Sequence, residues 1–144
     1  MNTLLGISEA ASIGWHAMIL LAAGEEHLVA TSVLAGRLQV SQAHLSKVIQ
    51  RLARAGLIQT VRGPGGGVRL GRPAASITLL GIYEAIEGPL QERSCLLREP
   101  ICNGQCCILG DLFQRVDELR DALAAMSLQE ATARSLGHTT MALG

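Results

Sequence analysis

Across residues 42–70 the apolar side chains change their spacing, and that change limits the fold more than any other feature of the chain. Leu45, Val48, Ile49 and Leu52 recur at i, i+3, i+4 and i+7, the stripe of an amphipathic helix. From Leu57 the order Leu-Ile-Gln-Thr-Val-Arg turns strand-like, breaks at Gly63-Pro64-Gly65-Gly66-Gly67, and resumes at Val68-Arg69-Leu70. A helix followed by two short strands around a glycine-rich break predicts a helix beside a β-hairpin. Glycine loops also cradle phosphates. Here no Gly-Lys-Ser/Thr ends the run and no helix start follows it, so neither a P-loop nor a dinucleotide fold fits.

The same region carries a one-sided charge. Between His27 and Tyr83 there is no carboxylate, whereas Arg37, Lys47, Arg51, Arg54, Arg62, Arg69 and Arg72 give it about +7. The rest of the chain sets five cations against all 12 carboxylates, about −7, and the formal net charge is zero. Such a separation suits one face meeting a polyanion while the remainder keeps the protein dispersed. One Trp, one Tyr and one Phe argue against stacking single-stranded bases, so duplex DNA is the expected partner.

Other segments complete a mainly α chain of one domain. Ser8 to Ala23 reads as a helix, with Ser8 as its cap, Ile13, Met18, Leu20 and Leu21 for burial, and Gly24 as its end. Val29 to Leu38 and Gln42 to Ala55 read as two further helices, with Ser41 capping the second. Two helices across a short turn, the second with a polar and basic face, form the helix-turn-helix arrangement whose second helix enters the major groove. The hairpin then reads as a wing. Its glycines let the backbone approach a sugar-phosphate surface, and Arg62 at its base is suited to a minor groove. Leu109, Leu112, Val116, Leu119, Leu123 and Met126 follow 3,4,3,4,3 spacing, the seam of a coiled coil, and predict a helix that pairs two copies. The longest apolar run, Ala17 to Ala23, is too short to cross a bilayer, and no Lys or Arg precedes Arg37 to start a signal peptide; a cytoplasmic protein is expected, without membrane contact.

These residues resemble the Rrf2 family of bacterial transcription regulators. The likeness is carried by Leu45 to Ile58, Val61-Arg-Gly-Pro-Gly-Gly-Gly67, Ile77-Thr-Leu79 and Glu84-Ala-Ile-Glu-Gly-Pro-Leu90, and it extends from about Ser8 to Leu128. It implies a winged helix-turn-helix with a long C-terminal dimerisation helix, acting as a homodimer on a palindromic operator. One departure lies in the turn, where Gln39 stands at a position often held by Gly in the family. Gln39 in a left-handed conformation would cost about 1 kcal/mol. The expected DNA-facing residues are Ser41, Gln42, Ala43, His44, Ser46, Lys47 and Arg51 on the second helix, with Arg62, Gly63 and Gly65 on the wing.

Four cysteines, Cys95, Cys102, Cys106 and Cys107, fall within 13 residues. In a reducing compartment they read as metal ligands or redox thiols rather than structural disulfides. Paired Cys-x2-Cys zinc knuckles are absent, and adjacent cysteines on a helix would point about 100° apart. The family resemblance implies an iron–sulfur cluster, 2Fe-2S rather than 4Fe-4S, on Cys95, Cys102 and Cys107. A fourth ligand is then missing. Some relatives place a His soon after the third cysteine, where this chain has Gly110; others draw on the partner's N-terminal helix, which here offers His16 and Glu9, and Cys106 is a further candidate.

The expected organisation is a winged helix-turn-helix domain over residues 1–90, a cluster-binding loop over 91–108, a dimerisation helix over 109–130 and a flexible tail over 131–144. The expected function is a DNA-binding regulator whose operator affinity follows an iron–sulfur cluster that senses redox state, nitric oxide or iron–sulfur supply. A thiol/disulfide switch without a cluster is the alternative. An electron carrier would leave the basic segment and the wing without a purpose, and no nucleophile, base and orienting group form a set that would indicate an enzyme.

Overall fold

The computed structural model describes residues 7–24, 27–90, 99, 101 and 110–138. Helix α1 (Glu9–Ala23) begins at Ser8, whose Oγ accepts from the Ala11 amide at 3.0 Å while Glu9 faces the positive end of the helix. It runs through the middle of the molecule. Ile13, Ala17, Met18 and Leu21 are buried in one cluster with Leu34 of α2 (Thr31–Leu38) and Leu45, Val48, Ile49 and Leu52 of α3 (Gln42–Arg54). Each fully buried Leu or Ile in this core stabilises it by roughly 1.5–3 kcal/mol relative to exposure.

Strands β1 (Ile58–Val61) and β2 (Gly67–Leu70) pair antiparallel, Ile58 opposite Leu70 and Val61 opposite Gly67. They close through a tight turn in which the Gly66 amide donates to the Gly63 carbonyl at 3.0 Å. Pro64 takes the second place of that turn and Gly65, at φ 73°, the third, where a positive φ is required and Gly carries no penalty. Leu57, Ile58 and Val68 root the hairpin in the core, and Gln59 to Gly65 stand in solvent.

The helix expected to begin at Val29 begins instead at Thr31. Val29 is extended and exchanges two backbone hydrogen bonds with Val68, at 2.9 and 2.8 Å, so the wing gains a third edge. A β-branched residue suits that pairing.

After a short 3-10 turn (Ala74–Ser76), Thr78 caps α4 (Leu79–Glu87) by accepting from the Gly81 amide at 3.0 Å. Helix α4 lies closely on α1 at Gly14, where an added methyl would collide with Ile86. Trp15 stacks on Tyr83, ring centroids 6.1 Å apart, and its indole N–H donates to the Leu79 carbonyl at 2.9 Å.

The C-terminal part differs from the single helix expected over 109–130. Helix α5 (Gly110–Ala125) stops, and α6 (Leu128–His138) starts after Ser127. At the break the backbone turns to the segment before α4: the Leu79 amide donates to Met126 O at 3.0 Å and the Leu128 amide to Ile77 O at 2.7 Å. Ser127 and Glu130 cap α6 reciprocally, the Glu130 amide donating to Ser127 Oγ at 3.2 Å and the Ser127 amide to Glu130 Oε2 at 2.9 Å. Residues 131–138, expected as flexible tail, belong to α6, which packs on α1 with Leu128, Ala131 and Thr132 buried. Leu109, the first residue of the expected seam, lies outside the described residues.

Candidate nucleic-acid interface

The turn between α2 and α3 is built around Gln39, which adopts the left-handed conformation at φ 55°, ψ 40°. Its amide donates to Gly36 O at 3.3 Å and the next amide, of Val40, to Ala35 O at 3.1 Å. These two bonds satisfy the last carbonyls of α2 in the manner of a Schellman ending, with Gln in the place that usually falls to Gly. Ser41 then starts α3: its Oγ accepts from the His44 amide at 3.1 Å, and its carbonyl from the Leu45 amide at 3.0 Å.

Burial of Leu45, Val48, Ile49 and Leu52 fixes the rotation of α3. Ser41, Gln42, Ala43 and Lys47 are consequently exposed, while His44 and Ser46 are half-buried beside them. Gln50 and Arg54, absent from the expected DNA-facing set, share the exposed face with Ala43 and Lys47; the spacing 43, 47, 50, 54 is the signal in the sequence for them.

Arg62, Gly63 and Gly65 are exposed at the end of the hairpin. Arg69 is engaged along the hairpin, its Nε donating to Gln59 Oε1 at 2.8 Å, and Arg72 reaches Ala55 O at 3.3 Å. Arg51 differs from the other expected contacts. Its Nη1 donates to the Ile86 carbonyl at 2.9 Å, so its guanidinium is tied to the end of α4.

On α1, Glu9 and His16 are both exposed. The ring Nδ1 of His16 lies 2.7 Å from Ser12 O and, facing a carbonyl, must donate; the neutral ring then has its lone pair on Nε2. His16 is therefore not the packed core histidine that an apolar helix would more often contain. Elsewhere, burial first and the Glu87 charge second raise the Tyr83 hydroxyl above its ordinary pKa.

Cys95, Cys102, Cys106 and Cys107 lie outside the described residues. Among the described residues no group of three or more His, Cys, Asp or Glu side chains is placed to hold a metal ion, and no helix is long and apolar enough to cross a membrane.

Residues 7–134 match the Rrf2 family, described as an iron-dependent transcriptional regulator. The HTH-type transcriptional regulator IscR of Photorhabdus laumondii is 30% identical over 107 residues, which are 74% of this chain and 65% of that one. Among solved structures, CymR (YrzC), the global cysteine regulator of B. subtilis, superposes with a TM-score of 0.74 at 26% identity, covering 90% of this chain and 98% of that one. The oxidized form of Staphylococcus aureus CymR gives 0.69 at 29% identity, covering 89% and 96%. A hairpin wing beside a capped, polar-faced second helix is thus found in a chain that matches one regulator family almost throughout: it belongs to the Rrf2 family of winged-helix, DNA-binding transcriptional regulators and is not an enzyme.

Proposed function

We propose that this regulator binds a palindromic duplex as a homodimer and that an iron–sulfur cluster on Cys95, Cys102 and Cys107 sets its affinity. The observation that carries the DNA half is the exposed start of α3 together with the open glycine wing, both inside a segment with seven cations and no carboxylate. Ser41, Gln42, Ala43, His44, Ser46 and Lys47 are suited to base edges and phosphates at the N-terminal half of a recognition helix. Arg62, Gly63 and Gly65 are suited to the adjacent backbone and minor groove.

The dimer is supported by α5. Leu112, Val116, Leu119 and Leu123 lie on one stripe and none of them is buried, an arrangement that a second copy of the same stripe would cover. Two heads related by a two-fold axis would read two half-sites. Residues 1–90 would form the reading head and residues 91–108 the sensor. Cytoplasmic residence follows from that reading, since it gives access to the chromosome.

The sensor half rests on four thiols within 13 residues, soft donors suited to iron–sulfur ligation, and on the family's description as iron-dependent. A cluster, 2Fe-2S in preference to 4Fe-4S, would supply redox and ligand-exchange chemistry sensitive to oxidants and nitric oxide. His16, exposed and with Nε2 free of the proton when Nδ1 donates to Ser12 O in the neutral ring, is the first candidate for a ligand given to the partner subunit, ahead of Cys106 and Glu9.

Anaerobic purification followed by an absorption spectrum and iron and sulfide analysis tests this reading. Expected are a visible chromophore, its loss in each of Cys95→Ala, Cys102→Ala and Cys107→Ala, and its survival in Cys106→Ala. Iron-free wild-type protein would overturn it. The likeness to the oxidized S. aureus CymR supports a second reading, a reversible disulfide of Cys106 or Cys107. That reading expects no iron, and thiols that disappear on mild peroxide and return with a reductant.

A further inference from the structure

Arg51 lies on the recognition helix of a DNA-binding protein, in a segment free of acids, and the first reading of such a residue is a phosphate contact. Its hydrogen bond indicates another task. Ile86 lies in the last turn of α4, where carbonyls have no partner further along the helix, and the Arg51 guanidinium donates to it at 2.9 Å. A cation at that end of a helix is favoured by the helix dipole as well as by the hydrogen bond.

The anchor itself is held in place. Ser8, the cap of α1, donates its hydroxyl to Glu87, the neighbour of Ile86. The Ile86 side chain packs where Gly14 leaves room on α1. The last turn of α4 is therefore fixed to α1, and Arg51 ties α3 to that fixed point. Along the helix axis Arg51 is about 13 Å from Gln42, away from the turn that would enter the groove.

We propose that Arg51 is a positioning residue, which sets the inclination of α3 through the Ile86 carbonyl and so governs discrimination between sequences, rather than a contact to DNA. The proposal rests on the DNA-binding reading above. Its consequence is selective: a recognition helix that has lost its anchor should read bases poorly while the basic surface still attracts any duplex.

The test uses full-length protein, a duplex recovered by the wild type from a random pool, and a random duplex of equal length, each titrated at several salt concentrations. Arg51→Met should lose about tenfold in affinity for the selected duplex. Its affinity for the random duplex should stay within about twofold, and the slope of log K against log salt should stay that of the wild type. Arg62→Ala provides the comparison, with a slope reduced by about 0.9.

Equal losses on both duplexes with a slope reduced by about 0.9 would make Arg51 a phosphate contact and overturn the proposal. Unchanged affinity for both duplexes would overturn it as well. Should Arg51→Met fail to fold, Arg51→Lys is measured in the same way: it keeps the charge on a shorter reach, so a loss confined to the selected duplex supports positioning, and wild-type behaviour on both contradicts it. Wild-type protein that binds neither duplex would instead remove the DNA reading on which the proposal stands.

Discussion

Helices α3 and α5 carry apolar stripes of similar spacing, yet the folded chain treats them in opposite ways. In α3, Leu45, Val48, Ile49 and Leu52 are each 4% exposed or less, covered by α1, α2 and α4. In α5 no residue is buried, and Leu119 remains 39% exposed although α4 lies alongside. Periodicity records that a helix has an apolar side, and says nothing of what covers it. For α3 the cover comes from this chain. For α5 we propose that it comes from a second copy, so that one stripe holds the domain together and the other joins two domains.

The most severe way to break this comparison is to charge the open stripe. The double variant Leu119→Lys, Leu123→Lys is expected to sediment as a folded monomer and to lose binding to a two-half-site duplex, because like charges would face each other across the seam. Its helix content should remain that of the wild type. A dimer of unchanged affinity would mean that α5 completes its burial within one chain.

The buried stripe should respond through stability instead. Leu52→Ala empties a site that is fully enclosed, and a loss of about 2–5 kcal/mol in denaturant unfolding is expected, with little room for the surrounding helices to collapse. The single change Leu119→Ala should cost less than that by a wide margin when unfolding is measured at protein concentrations low enough for the chain to be monomeric, within about 0.5 kcal/mol. Comparable losses at both positions would erase the distinction between the two helices.

The same contrast explains what could be read from the sequence. Helix α3 and the wing were legible because every determinant is local: a stripe at helical spacing, Ser41 before it, and Pro64-Gly65 in a turn that requires a positive φ. Val29 reads as helix in the sequence because its partner, Val68, is distant along the chain, and a single bridge leaves no periodic trace. The Arg51 bond to Ile86 was hidden for the same reason, as it joins residues 35 apart. The break at Ser127 is a different case. Ser127-Leu-Gln-Glu130 is a capping box written in the sequence, but the heptad spacing ran through to Met126 and drew the helix across it. The cysteines were legible as chemistry and lie outside the described residues.

A smaller effect probes the joint that orients α3. Gln39 holds φ 55° where a side chain is disfavoured, so Gln39→Gly should stabilise the fold by about 0.5–1 kcal/mol, the relief of strain exceeding the added freedom of the unfolded chain. A modest rise in melting temperature checks it. Because the Schellman bonds are made by backbone groups, the DNA affinity of the folded protein should not change. Destabilisation would show that the Gln39 side chain contributes more than its backbone costs.

The smallest expected effect concerns α6, which follows the open helix and is itself packed on α1. Hydrogen bonds from the Ser127 amide first and its hydroxyl second hold the Glu130 carboxyl below its ordinary pKa, with a lesser contribution from Arg134. A carboxylate whose pKa is lower in the folded state than in the unfolded one contributes stability at neutral pH, and that contribution fades as pH falls from about 5 through the folded-state pKa. Glu130→Gln keeps an acceptor for the cap but removes the titration. The wild type should therefore melt slightly higher than Glu130→Gln at pH 7, and the two curves should converge in acid. Amide exchange at the start of α6 offers the local check, with faster exchange in the variant at neutral pH and equal rates at low pH. A difference that stays constant across the range would assign the cap to shape alone, and α6 would then owe its place to the burial of Leu128 and Ala131 against α1.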